Sequence, residues 1–244
     1  MSQSLIKVKE IYDEAFYRTR HKDTLHSAET ILQLVQNAIP QINSAVEFGC
    51  GVGTWLYVLK ERGTKEILGF DGPWVPPEFR VIPQENFIAS DFEKPVRTEK
   101  RYDLAISLEV AEHISPPNAR QFVESITNAS DYVLFSAAIP EQGGIAHINE
   151  QWPEYWENLF FKKDYICCDI IREKIWNDDK IPAWYRQNVL LFMKAKNTSP
   201  QRVIPFPLVH PDIFLRIAKE NTALRNKLYK RLLDKIYARF FKNS

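Results

Sequence analysis

Three glycines at alternate positions, Gly49, Gly51 and Gly53, follow an apolar run that ends at Phe48, and Thr54 comes directly after them. Glycine lets a backbone reverse this tightly while a ligand lies against it, so Val46 to Thr54 has the form of a strand, a cradling turn and a helix start. A dinucleotide fingerprint asks for a glycine where this chain has Thr54, and it does not ask for Glu47, the carboxylate just before Phe48. Pyrophosphate gains from bare backbone N–H groups, whereas a carboxylate beside the loop favours a cationic ligand. Cys50 reads as a small side chain within the turn. Downstream, Leu68-Gly69-Phe70-Asp71 reads as a strand ending in a carboxylate, where an acceptor would meet ribose hydroxyls.

Two polar clusters lie farther along, Glu109-Val110-Ala111-Glu112-His113 and His147-Ile148-Asn149-Glu150-Gln151-Trp152. Imidazole accepts a proton near neutral pH, so His147 and His113 are candidate bases toward a hydroxyl, with Glu109 beside them. Gly143 and Gly144 permit a mobile loop, and Asn149, Glu150 and Gln151 offer polar contacts next to Trp152, Tyr155 and Trp156. Such a lining suits a polyhydroxylated or glycosylated molecule. Plainer readings stand beside these: His113 bonding backbone around a helix start, and His147 packing the aromatic helix onto a sheet. The histidines at 21, 26, 113, 147 and 210 show no H-x-x-x-H or H-E-x-x-H spacing. No metal site is therefore expected, and scattered carboxylates are the remaining way to hold an ion.

The elements that must position these residues follow an alternating rhythm. Strands are predicted at 44–48, 66–70, 86–89, 102–107 and 132–136, with helices at 54–62 and 118–129, the second announced by Pro116 and Pro117. Ahead of them, Ile31, Leu32, Leu34 and Val35 give one apolar face to a helix at 27–38 that Pro40 stops. Short strands alternating with longer helices predict βαβ units around a parallel sheet. After residue 137 come an aromatic-rich helix near 152–161 and apolar runs at 165–171 and 189–193, read as an antiparallel pair closing the sheet. Pro200, Pro205, Pro207 and Pro211 then predict an extended stretch leading into a basic amphipathic helix at about 213–241.

The order E-F-G-C-G-V-G-T, then F-D, then A-S-D-F at 89–92, then Y-D-L-A-I-S-L-E-V-A-E-H-I at 102–114 resembles the successive motifs of class I S-adenosylmethionine-dependent methyltransferases, over roughly residues 25–140. The resemblance implies a Rossmann-like α/β fold with a mostly parallel seven-stranded sheet, an antiparallel closing strand and helices on both faces. It implies S-adenosylmethionine as cofactor, held by Glu47, Gly49, Cys50, Gly51, Thr54 and the ribose ligand Asp71. Asp91 would contact the adenine amino group, Phe92 would pack on the ring, and Leu108 and Glu109 would border the methionyl part. In such enzymes a segment before the core often folds over the cofactor, which makes Tyr17 and His26 candidate substrate residues alongside Asn149, Glu150, Gln151 and Trp152. The segment G-G-I-A-H-I-N-E-Q-W-P-E-Y-W is similar to one in bacterial methyltransferases of polysaccharide and natural-product clusters. The reaction expected is O-methylation of a small molecule or glycan with His147 as base. N-methylation of an amine, amide or peptide side chain is the alternative, with Glu109, Glu150 and Gln151 then foremost; a non-catalytic binding subunit and a nicotinamide-dependent oxidoreductase are rivals.

Composition sets the outer bounds. The 244 residues suit one α/β core, 41–195, between an N-terminal helical lid, 1–40, and a linker with the C-terminal helix, 196–244. With 32 basic against 31 acidic residues the net charge is +1, so nucleic acid is not an expected partner. Cys50, Cys167 and Cys168 form neither a disulfide framework nor a spaced zinc set, which suits a reducing cytoplasm. No apolar run has the length of a signal peptide or a membrane span. The stripe Leu224, Leu228, Leu232, Ile236 and Phe240, flanked by lysines and arginines, calls for a cover: the core, a second subunit or an anionic membrane surface. Oligomeric state is left open.

Overall fold

The computed structural model describes residues 14–195 and 201–241, the side chains of 233–241 excepted. By compactness the chain divides into two units, the first ending at Leu208 and the second beginning at Val209.

The first unit is built on a seven-stranded sheet. Its strands are β1 (Ser44–Phe48), β2 (Glu66–Asp71), β3 (Phe87–Ala89), β4 (Leu104–Leu108), β5 (Tyr132–Ser136), β6 (Tyr165–Cys168) and β7 (Leu190–Lys194), in the order β3-β2-β1-β4-β5-β7-β6. Pairings from β3 across to β5 are parallel, and β7 runs antiparallel to both β5 and β6. The fold is the Rossmann-like class I methyltransferase fold. Strand order reverses between β1 and β4, so their C-terminal ends diverge and leave the crevice in which open α/β sheets bind ligands.

The central strands are buried on both faces, which explains why they read as unbroken apolar runs: every residue of β4 is buried, as is all of β1 after Ser44. One face carries α1 (Glu14–Ala38), which buries Ala28, Ile31, Leu32 and Val35 at helical spacing, and α2 (Thr54–Glu61). The other carries α3 (Ala119–Ala129) and α4 (Pro153–Phe161). Under α4, Phe160 stacks on Phe192 with ring centroids 4.0 Å apart, and Phe135 meets both Phe160 and Trp156. Each such fully buried aromatic contributes roughly 1.5–3 kcal/mol relative to exposure, which fastens the closing strand to the rest of the sheet.

Several boundaries differ from the sequence reading. The first helix already runs at Glu14, because its polar N-terminal half still buries Tyr17, Thr24 and Ser27. The third strand starts at Phe87, since Gln84–Asn86 form a 3-10 turn, and the fourth starts at Leu104, leaving Tyr102 in a single bridge to Ser130. Trp152 precedes its helix, which begins with Pro153. Two short helices, α5 (Arg172–Ile175) and α6 (Ala183–Asn188), occupy the β6–β7 connection.

The second unit contains α7 (Pro211–Phe241), with Pro in its first turn and Leu224, Leu228, Tyr229 and Leu232 exposed. Pro200 lies outside the described residues. Among the described residues no helix is long and apolar enough to cross a membrane.

Candidate active site

The glycine turn leaves β1 with Gly49, Gly51 and Gly53 all in the left-handed region, at φ 85°, 53° and 88°. A methyl group on Gly49 would fall 2.2 Å from Val110, whereas one on Gly51 would meet nothing within 4 Å. Gly49 is therefore a packing requirement, and Gly51 faces open space. Asp71, at the end of β2, accepts N–H bonds from Gly51 and Gly72, both at 2.6 Å, so it braces the loop that it borders. Burial raises its carboxyl, partly offset by those two amides and by the Arg80 guanidinium.

Glu47 sits on β1 beneath the turn and is 2 % exposed. The first turn of α2 has no side-chain cap, and its Leu56 N–H donates to the Glu47 carboxylate. The second oxygen, Oε2, is buried with no hydrogen-bond partner. Burial and the nearby Asp71 charge push this carboxyl well above the usual range. An unpartnered buried carboxylate oxygen is costly unless something cationic satisfies it. Two rings lie nearby: Trp55 meets Tyr185 edge-on at 5.5 Å, and the Glu47 charge helps raise the Tyr185 phenol, whose shift burial dominates.

Beyond β3, Asp91 is exposed, paired with Lys94 at 3.2 Å, and accepts the Glu93 N–H. Phe92 packs against Phe122 and Phe48, at 5.4 and 6.4 Å between centroids. Cys50 is buried in the turn, and burial and the Asp71 and Glu47 charges push its thiol up.

After β4, Leu108 is buried and Glu109 takes a left-handed φ of 56°, a conformation costing a non-glycine residue about 1–2 kcal/mol. What holds it is a set of amides. Asn188 Nδ2 donates to Glu109 Oε1 at 3.1 Å, Gln142 Nε2 donates to Oε2 at 3.1 Å, and Asn188 and Gln187 both donate to Gln142 Oε1. Burial raises the Glu109 carboxyl, while these amides and Ser136 pull it back.

The loop after β5 folds against the turn after β4. His147 Nδ1 lies 2.8 Å from Glu150, and its Nε2 is 3.9 Å from Glu112. His113 Nδ1 lies 3.2 Å from the Ala146 carbonyl, with its ring edge-on to His147 at 4.9 Å. Burial and His147 lower His113 to about 4, so it is neutral near pH 7. Both Ile148 and Asn149 donate backbone N–H groups to the Glu112 carbonyl, and Asn149 is buried with Gln151 donating to its Oδ1. Gly144 is less a hinge than a gap: a methyl group there would sit 2.2 Å from the His147 ring.

A family model described as a methyltransferase domain matches residues 18–165, more than half of the chain. The chain belongs to that family. It is an S-adenosylmethionine-dependent methyltransferase. Solved structures share the fold at low identity. Magnesium protoporphyrin IX methyltransferase from Synechocystis PCC 6803 with bound S-adenosylhomocysteine is 15 % identical with TM-score 0.51, covering 80 % of this chain and 95 % of that one. An O-methyltransferase family protein from Burkholderia thailandensis is 8 % identical with TM-score 0.52, covering 76 % and 59 %. Human N-acetylserotonin methyltransferase is 15 % identical with TM-score 0.51, covering 80 % and 60 %. The chain thus spans about three fifths of the last two proteins. No curated protein sequence matches it.

Within this methyltransferase the structure gathers Glu47, Gly49, Cys50, Gly51, Thr54 and Asp71 around one turn, and Glu109, His113, His147, Asn149 and Glu150 around a second focus. His26 is elsewhere, bonded to Asp178 at 2.9 Å, and Tyr17 is buried in the core. His21 reaches Thr54 Oγ1 at 3.2 Å from α1. Trp152 is largely exposed. Sequence reasoning missed Gln142, Gln187, Asn188 and Tyr185; no local motif marks them, because tertiary folding alone brings α6 to Glu109.

Proposed function

We propose that this methyltransferase methylates a hydroxyl of a small molecule or glycan, with the cofactor over the glycine turn and the acceptor at the His147 end. When bound, S-adenosylmethionine supplies an electrophilic methyl group on a sulfonium. Glu47, with its unpartnered Oε2, would hold the ammonium of the cofactor, and the open space at Gly51 would let the chain backbone approach it. Asp71 takes the ribose hydroxyls with the lone pairs that its two backbone bonds leave over, Asp91 and Phe92 hold the adenine, and Leu108 and Glu109 border the methionyl part. The α1 segment within residues 1–40 closes this end, for which the His21–Thr54 contact speaks. Residues 41–195 form the catalytic core.

The observation that carries O-methylation is the His147–Glu150 contact at 2.8 Å. A carboxylate accepting from Nδ1 fixes the proton there and leaves the Nε2 lone pair for a hydroxyl proton, the arrangement a general base requires. Asn149, Gln151 and Trp152 then serve as acceptor contacts. An amine acceptor needs no such base, and Glu109, immobilised by Gln142 and Asn188, would orient it. The test is mass-spectrometric detection of methyl transfer to a panel of sugars, phenols and amines by the intact chain, with His147→Ala beside it and binding of S-adenosylhomocysteine as the control. Transfer to hydroxyls that falls at least about a hundredfold in the variant, with binding retained, supports the reading. Full turnover in the variant, or methylated amines alone, overturns it; loss of S-adenosylhomocysteine binding in Asp71→Ala checks the cofactor assignment separately.

A further inference from the structure

Glu112 is 0 % exposed and neither carboxyl oxygen makes a hydrogen bond of ordinary geometry; the backbone N–H groups of Glu112 and Ala138 give it partial support, and His147 Nε2 lies 3.9 Å from its Oε1. A buried carboxyl supported this weakly is costly unless a proton or a cation satisfies it. Two imidazoles stand in front of it. One ligating atom from each of Glu112, His113 and His147 lies within 4.8 Å of the other two.

Tautomers decide whether these imidazoles can act as ligands. The Ala146 carbonyl and the Glu150 carboxylate can only accept, so each histidine carries its proton on Nδ1 and presents an Nε2 lone pair. Metal-ligating histidines usually have this arrangement, with the far nitrogen donating to a carboxylate or a backbone carbonyl. Ala146 itself is left-handed at φ 60°, and Gly144 clears the space that the His147 ring fills. The loop is therefore built to hold both rings in place. The sequence hides the site because His113 and His147 come from different loops and share no ligand spacing.

We propose that Glu112, His113 and His147 bind a divalent transition-metal ion. Two imidazoles and one carboxylate suit Zn²⁺, Mn²⁺ or Fe²⁺ better than Mg²⁺ or Ca²⁺, and three protein ligands leave positions open for an outside oxygen. The ion site stands on its own geometry; its use, gripping the acceptor hydroxyl and making it more acidic, rests on the proposed O-methylation. In that case His147 acts as a ligand and the ion takes over the activation that the imidazole would otherwise perform.

Titration of the untagged, chelator-stripped chain with Zn²⁺ alone, and separately with Mn²⁺ alone, tests the site by calorimetry and metal analysis. One equivalent per chain is expected, weakened at least tenfold in Glu112→Gln and in His113→Ala, with S-adenosylhomocysteine affinity unchanged. Co²⁺ gives a second readout, since visible absorption bands altered by His147→Ala report imidazole ligation. Absence of stoichiometric uptake by the folded chain overturns the site, as does binding that the three variants leave unchanged. Metal uptake without hydroxyl methylation keeps the site and sinks the O-methylation reading. Chelator-insensitive methylation without uptake does the reverse and leaves His147 as the base.

Discussion

Replacing Glu47 by Gln should make the empty protein more stable and the cofactor site weaker. The buried carboxylate receives one backbone N–H from Leu56 and has Oε2 unpartnered, and its carboxyl is raised well above the usual range by burial and by Asp71. A carboxyl whose folded pKa is raised costs stability as pH climbs from the ordinary carboxylate range toward the raised value. The amide never ionises, so the advantage of Glu47→Gln should grow with pH across that window. Relief of an unpaired buried group is worth about 1–3 kcal/mol, reduced by the amide's own unmet N–H groups. A gain of about 1 kcal/mol raises Tm by roughly 2–4 °C in a chain of this size. Binding should move the other way. A hydrogen bond to a charged group contributes about 1.5–3 kcal/mol, so the dissociation constant for S-adenosylhomocysteine should rise about 10- to 100-fold. The wild-type affinity should also fall as pH is lowered through the raised range, because Glu47 and Asp71 must be ionised to serve, and the slope should flatten in the variant. Paired thermal melts and calorimetric titrations at several pH values read all of this. A variant that melts lower at neutral pH and binds as tightly as wild type would refute the assignment of Glu47 to the ammonium.

The glycine turn makes a contrasting pair. Gly49→Ala meets Val110 at 2.2 Å with φ at 85° and should cost about 2–4 kcal/mol in urea unfolding, whereas Gly51→Ala, with nothing within 4 Å, should cost about 1–2 kcal/mol and chiefly weaken S-adenosylhomocysteine. Equal destabilisation by both would show that Gly51 does not face a ligand. Arg202→Ala strips the cation from Glu157, which is 1 % exposed, and should cost about 3 kcal/mol, since the lost partner is itself a third exposed; a melt within 1 °C of wild type would show the pair to be dispensable. Burial pushes the Cys50 and Cys167 thiols up, so iodoacetamide at pH 8 should label them at least about tenfold more slowly in native than in unfolded protein. Prompt labelling of either in the native chain would contradict the packing.

Much of the architecture follows from local sequence. The apolar runs at β1, β4 and β5 are continuous because a parallel strand buried on both faces has no solvent side to mark with polar residues. The glycine turn and the acid ending β2 declare themselves because backbone reversal, and the ribose contact proposed for Asp71, need particular residue types at short spacing. The second focus was only half legible. Its residues were visible as two polar clusters, but their relation was not: His147 could be named as a base, while its bond to Glu150, its approach to Glu112 and the companion role of His113 depend on how two loops meet. The amide clamp of Gln142 and Asn188 on Glu109 was silent altogether. Neutral amides carry no periodicity and no motif, and a ligand set drawn from separate loops has no fixed sequence spacing. Sequence determined the sheet, the edge at which its strand order reverses and the glycine turn, because these are properties of contiguous chain. Tertiary structure alone decided which acid is buried and which imidazoles face it, because desolvation and lone-pair direction exist only once distant segments have packed.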